Sequence, residues 1–136
     1  MPRLLIVDGE AGHARVTAIG LRIEGFEVEV ASNADAALGA LTEHDFDAAV
    51  VDLMLPGTNG IQLARLVRES HARTRIVLTS AYHLSEQQLL RVDCGAVGFV
   101  PKPFDLTELA RFLRAKLTCS DGGDGGGPFV APVAAA

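Results

Sequence analysis

Apolar runs of four to six residues, polar at both ends, alternate along this chain with segments of ten to fourteen residues in which apolar positions recur at helical spacing. The pattern predicts strands at 3–7, 27–31, 47–51, 75–79 and 97–100, and helices at 11–24, 34–43, 60–70, 85–94 and 105–117. Leu4–Val7, Ala48–Val51 and Ile76–Leu78 are continuously apolar, as strands covered on both faces are. Alternating strands and helices of this kind fold as a parallel sheet with right-handed crossovers. The punctuation agrees. Gly25 and Gly95 follow the first and fourth helices, where a left-handed residue closes a helix. Asn33 stands to cap the second helix, and Asp105 the fifth, with Glu108 three residues on.

The 136 residues, 49% of them apolar, are enough for one domain with its own core. That domain is expected over 1–118. Residues 119–136 begin with the Gly-rich Ser120-Asp-Gly-Gly-Asp-Gly-Gly-Gly127 and end with the apolar Pro128-Phe-Val-Ala-Pro-Val-Ala-Ala-Ala136. They read as a flexible linker, with a short docking segment as the alternative. A net charge of −5 argues against broad binding to nucleic acid or anionic membranes. No apolar run approaches the length of a membrane span. Cys94 and Cys119 stand far apart without metal-type spacing, which suits a reducing, cytoplasmic setting.

In a parallel sheet of this type ligands bind beyond the carboxyl ends of the strands. Four of the five apolar runs end there in a reactive group: Asp8 with Gly9 and Glu10, Asp52, Thr79-Ser80, and Lys102 between Pro101 and Pro103. Two carboxylates close together favour a divalent cation, and Mg²⁺ takes one or two carboxylates with waters and phosphate oxygens. An aspartate can attack phosphorus and form an aspartyl phosphate. An ammonium and a hydroxyl can receive the phosphoryl oxygens, so the set suffices for phosphorylation of an aspartate and for metal-assisted hydrolysis. Neither GxGxxG nor GxxxxGK[ST] is present, which argues against a nucleotide-binding enzyme.

Leu5-Ile-Val-Asp8, Val50-Val-Asp-Leu-Met-Leu-Pro-Gly57 with Gly60, Thr79-Ser-Ala81 and Lys102-Pro-Phe104, in this order, resemble the receiver domain of two-component response regulators over about residues 3–117. The resemblance implies an α/β fold: a (βα)₅, flavodoxin-like, doubly wound parallel five-stranded sheet of order 2-1-3-4-5. It implies Asp52 as phospho-acceptor, Lys102 as partner of a phosphoryl oxygen, and a cis Lys102–Pro103 bond. Mg²⁺ would be held by Asp8, Asp52 and the Met54 backbone carbonyl. Ser80 and Phe99 would form the switch, and Met54 and Tyr82 would tune the lifetime of the phosphoryl group. Gly9 stands where the family carries a second acid, so weaker Mg²⁺ binding is expected, with Glu10 as a substitute ligand or simply the start of the helix.

The implied partners are a histidine kinase or phosphotransfer protein, and a downstream protein or a second copy on the face of the fourth helix, fifth strand and fifth helix. The implied role is a signalling switch rather than a turnover enzyme. The alternative is a pseudo-receiver that binds proteins without phosphorylation. Arg111, Arg114 and Lys116 read as a solvated face that could join the partner surface. His13, His44, His71 and His83 share no ligand-like spacing and read as solvated.

Overall fold

The computed structural model describes residues 2–81, 87–88, 95–118 and 129–130. Its main strands are β1 (Arg3–Val7), β2 (Glu27–Ala31), β3 (Ala48–Asp52), β4 (Arg75–Ser80), β5 (Ala96–Pro101) and the two-residue β6 (Phe129–Val130). They form one parallel sheet in the order β2-β1-β3-β4-β5-β6. The first five reproduce the expected order. The sixth was not anticipated: the tail, read as a linker, places two residues against the outer edge of β5.

Helices α1 (Ala11–Ile23), α2 (Ala34–Glu43), α3 (Gly60–Ser70) and the C-terminal helix (Leu106–Thr118) lie between the strands in sequence. Of the helix expected at 85–94, only 87–88 are described, and they are helical. Caps form as anticipated. Asn33 Oδ1 accepts the Ala36 N–H at 2.8 Å, and Asp105 Oδ1 accepts those of Thr107 and Glu108 at 2.7 and 3.3 Å. Gly25 and Gly95 take φ of +105° and +80°.

Both faces of the sheet are buried, which is why the strands read as unbroken apolar runs. On one face Leu5, Val7, Val51, Leu78 and Phe99 pack with Leu63 and Val67 of α3 and Leu41 of α2. On the other, Leu4, Ile6, Val50, Val77 and Val100 pack with Leu21 of α1 and Leu109 and Leu113 of the C-terminal helix. Burying such a side chain contributes about 1.5–3 kcal/mol each. Gly20 of α1 permits a close helix contact: a Cβ there would lie 2.3 Å from Leu106 Cδ1.

Strand register gathers the polar ends. Val7 pairs with Val51, so Asp8 and Asp52 leave adjacent strands at the same level. Asp52 pairs with Thr79, and Ser80 with Pro101. A bulge sits between Ile76/Val77 and Ala96/Gly98. It accommodates Val97 as the extra residue, and so brings Lys102 to the level just past Ser80.

Candidate phosphoryl-transfer site

Asp8, Asp52 and Lys102 meet at the carboxyl edge of the sheet. Lys102 Nζ donates to Asp52 Oδ2 at 2.7 Å and to Asp8 Oδ2 at 3.1 Å. The other oxygen of each acid is fixed by the same local device. Asp8 Oδ1 accepts the Glu10 N–H at 2.9 Å, and Asp52 Oδ1 accepts the Met54 N–H at 3.0 Å. Each is an Asx turn, in which a short carboxylate bonds its own backbone two residues on. Both acids are buried, and Lys102 is mostly so.

A buried ion cluster of this kind adds little net stability over an apolar replacement, so its effect is to fix position. Burial pushes the Asp8 carboxyl up. The Glu10 N–H, His13 and Lys102 together outweigh burial and hold it below its ordinary value. Burial likewise pushes the Lys102 ammonium down, and its bonds to Asp52 and Asp8 outweigh that and raise it. Both groups are thereby held in their charged forms.

The backbone around the cluster is tightly constrained. The Lys102–Pro103 bond is cis, as anticipated. The Lys102 N–H donates to the Ser80 carbonyl at 2.8 Å. Gly57 has φ of +76° in the turn between the short antiparallel strands Met54–Leu55 and Thr58–Asn59. Gly60 opens α3 directly beneath Asp52: a Cβ there would stand 2.4 Å from the Asp52 carbonyl oxygen and 3.0 Å from Leu53 Cα. No side chain fits without moving the backbone that carries Asp52.

Ser80 and Phe99 are both fully buried, Phe99 in the core layer toward α2 and α3. Met54 is exposed at the rim. Tyr82 lies outside the described residues, as do His83, Cys94 and Cys119. Glu10 is exposed and serves as the N-terminal boundary of α1 without a side-chain cap. Among the described residues, no three His, Cys, Asp or Glu side chains are gathered as a metal cluster. The groups placed to hold a hard divalent cation would be the two carboxylates of Asp8 and Asp52, completed by a backbone carbonyl and water. That fits Mg²⁺, which needs one or two protein carboxylates.

Gly9 is more than a missing acid. A Cβ at this position would lie 2.9 Å from Pro56 Cδ and 3.3 Å from its Cγ. The proline ring thus occupies the space next to Gly9.

Two expectations need correction. His13 is not a free solvated histidine: its Nδ1 lies 2.8 Å from Asp8 Oδ2, and its ring meets Phe104 edge-on at 5.5 Å. The sequence shows only a five-residue separation from Asp8; the contact forms because the first turn of α1 returns over the end of β1. On the C-terminal helix Arg111 and Arg114 are exposed as expected, but Lys116 is not. Lys116 is buried with its ammonium 5.7 Å from the Phe112 ring, and Arg114 lies over Phe26 and pairs with Glu24 at 3.2 Å.

Comparison with known proteins agrees with this geometry. The response regulator receiver domain model matches residues 4–114. The chain is 33% identical over 114 residues to the uncharacterized transcriptional regulatory protein YkoG of Bacillus subtilis, covering 84% of this chain and 50% of that one. It is 37% identical over 119 residues to the DNA-binding response regulator MtrA of Mycobacterium tuberculosis, covering 88% and 52%. The chain thus spans about half the length of these curated relatives. A CheY-like receiver domain from Methanospirillum hungatei superposes with a TM-score of 0.80 at 26% identity, covering 92% of this chain and 98% of that one. The response regulator TrrA of Thermotoga maritima, solved with Mg²⁺ and BeF, gives 0.76 at 29%, covering 86% and 99%. No helix among the described residues is long and apolar enough to cross a membrane. The chain belongs to the response regulator receiver domain family of two-component signalling, whose members are switches that typically bind Mg²⁺ and work between histidine kinases and downstream effectors.

Proposed function

We propose that Asp52 accepts a phosphoryl group from a histidine kinase or phosphotransfer protein, and that its occupancy switches a protein-interaction face. The observation that carries this reading is Lys102 Nζ held between the Asp52 and Asp8 carboxylates. In the transfer, an Asp52 oxygen attacks phosphorus as the bond from phosphorus to the donor breaks, and the donor leaves with its electron pair. Lys102, already 2.7 Å from Asp52 Oδ2, pairs with a phosphoryl oxygen as charge develops. Asp8 and Asp52, with the Met54 carbonyl, would hold Mg²⁺, which when bound neutralises phosphoryl charge. Binding is weaker than two adjacent acids would give, because Gly9 brings no carboxylate and Glu10 is turned to solvent.

Ser80 ends the strand beside Asp52 and donates its hydroxyl to the phosphoryl group. Phe99 pairs with Leu78 on the strand that Ser80 ends and responds when the Ser80 hydroxyl turns to the phosphoryl group. The face so altered is the one around β5 and the C-terminal helix, where a downstream protein or a second copy docks. A pseudo-receiver role is disfavoured, because Asp52, Lys102 and Ser80 are all retained at one edge.

The test is a small phosphodonor with Mg²⁺, followed by tandem mass spectrometry of the modified peptide. The phosphoryl group is expected on Asp52. A group found on a histidine or hydroxyl instead would overturn the assignment.

A further inference from the structure

Two side chains share one oxygen of Asp8. Its Oδ2 lies 2.8 Å from His13 Nδ1 and 3.1 Å from Lys102 Nζ, while its Oδ1 accepts the Glu10 N–H at 2.9 Å. Asp52 is bonded to the Met54 N–H at 3.0 Å and to Lys102 Nζ at 2.7 Å. A carboxylate offers about four acceptor positions, so Asp8 is the more nearly filled of the two. An ionised carboxylate has no proton to give, so His13 Nδ1 carries the hydrogen and donates it.

His13 is also braced from the side. It stands in the first turn of α1, and its ring meets that of Phe104 edge-on with centroids 5.5 Å apart. Phe104 follows Lys102 by two residues, so one short segment steadies both donors to Asp8 Oδ2. The His13 side chain is 33% exposed against 6% for Asp8, so water reaches this bond from the imidazole side alone. Hydrogen bonds to a charged acceptor in such a setting are stronger than neutral ones.

The two donors meet different demands in the transfer. A phosphoryl oxygen on Asp52 draws the Lys102 ammonium away from Asp8 Oδ2. Asp8 would then be a buried carboxylate held at Oδ1 alone, and an unpaired buried charge is costly. Nothing in the transfer draws on His13.

We infer that His13 is a positioning residue that keeps Asp8 Oδ2 in place when Lys102 passes to the phosphoryl group. Asp8 then still faces the cation with its geometry set, in a chain where Gly9 leaves no second acid to share that task. The inference rests on Asp52 as the phospho-acceptor, and its mark is dependence on state. With Asp52 empty, Lys102 still holds Asp8 when His13 is lost. With Asp52 occupied, it does not.

Beryllofluoride with Mg²⁺ stands in for a phosphoryl group on a carboxylate, and its binding to the full chain is followed by NMR of the backbone amides. His13→Leu keeps an apolar side chain against Phe104 and removes the donor. It should weaken beryllofluoride binding by about tenfold or more, as loss of a hydrogen bond to a charged group does, and weaken Mg²⁺ binding without beryllofluoride far less. His13→Asn places an amide N–H near the position of Nδ1 and should recover most of the loss. His13→Gln, whose amide falls nearer the position of Nε2, should recover little. In the parent chain, ring-nitrogen signals of His13 should show Nδ1 protonated with beryllofluoride bound, a measurement that decides even where a variant does not fold. A parent-like or tighter constant in His13→Leu, equal weakening with and without beryllofluoride, no recovery in His13→Asn, or an unprotonated Nδ1 would overturn the inference and leave the Asp52 reading standing. No beryllofluoride binding by the parent chain would overturn that reading, and this inference with it.

Discussion

Gly9 and Pro56 form a pair whose energy can be worked from the structure. Gly9→Ala adds a Cβ at 2.9 Å from Pro56 Cδ, against an ordinary carbon–carbon contact of about 3.5–4.0 Å. The ring is rigid, so relief requires the Met54–Gly57 segment to shift. Overpacking of this kind costs about 1–3 kcal/mol. Replacing glycine also restricts the unfolded chain, which returns about 0.4–1 kcal/mol. The net expectation is a destabilisation of about 1–2 kcal/mol. Pro56→Ala removes both ring carbons that the new Cβ would strike. In that background Gly9→Ala should cost less than half as much, a coupling that a double-mutant cycle isolates. The assay is urea unfolding of the four variants with chelator present, so that metal plays no part. Gly9→Asp should cost at least as much as Gly9→Ala under those conditions, because it adds a charge near two carboxylates. Restoring the acid is therefore not free in this chain. Equal or greater stability of Gly9→Ala, or an unchanged cost in Pro56→Ala, would refute the reasoning.

Three further outcomes are expected. Gly60→Ala, whose Cβ would meet the Asp52 carbonyl at 2.4 Å, should destabilise by about 1–3 kcal/mol or more and slow phosphorylation of Asp52, read by urea unfolding and by mass; wild-type values for both would show the contact to be soft. Stability should depend on pH at both ends. The lowered Asp8 carboxyl contributes above its unfolded value of about 3.9 and is lost as pH falls through the folded value beneath it. The raised Lys102 ammonium contributes below about 10.4 and is lost as pH rises through its folded value above that. Asp8→Asn should flatten the acid limb, and an unchanged limb would remove Asp8 as its source. Finally, Met54 and Tyr82 carry neither the amide nor the carboxylate that could position an attacking water, so the phosphorylated chain should lose its group slowly; a phosphoryl lifetime shorter than a minute, followed by mass, would contradict this.

The strands, the caps and the gathering of Asp8, Asp52 and Lys102 were legible because each rests on local pattern: continuous apolar runs, a cap residue, a polar group closing a strand; the sheet order came from the family resemblance. What stayed hidden depends on three-dimensional approach. His13 joins Asp8 only because α1 folds back over the end of β1. The Gly9–Pro56 contact joins two loops distant in sequence. Lys116 counts as a charge in the sequence, yet its stem lies buried with its ammonium over an aromatic ring. β6 has two residues and too little periodicity to announce a strand.

The most direct test of the central claim is intact-mass spectrometry after incubation with a small phosphodonor and Mg²⁺, run beside Asp52→Asn. The gain of one phosphoryl group is expected in the parent chain and none in Asp52→Asn. No gain at saturating donor and Mg²⁺, or the same gain in Asp52→Asn, would contradict it.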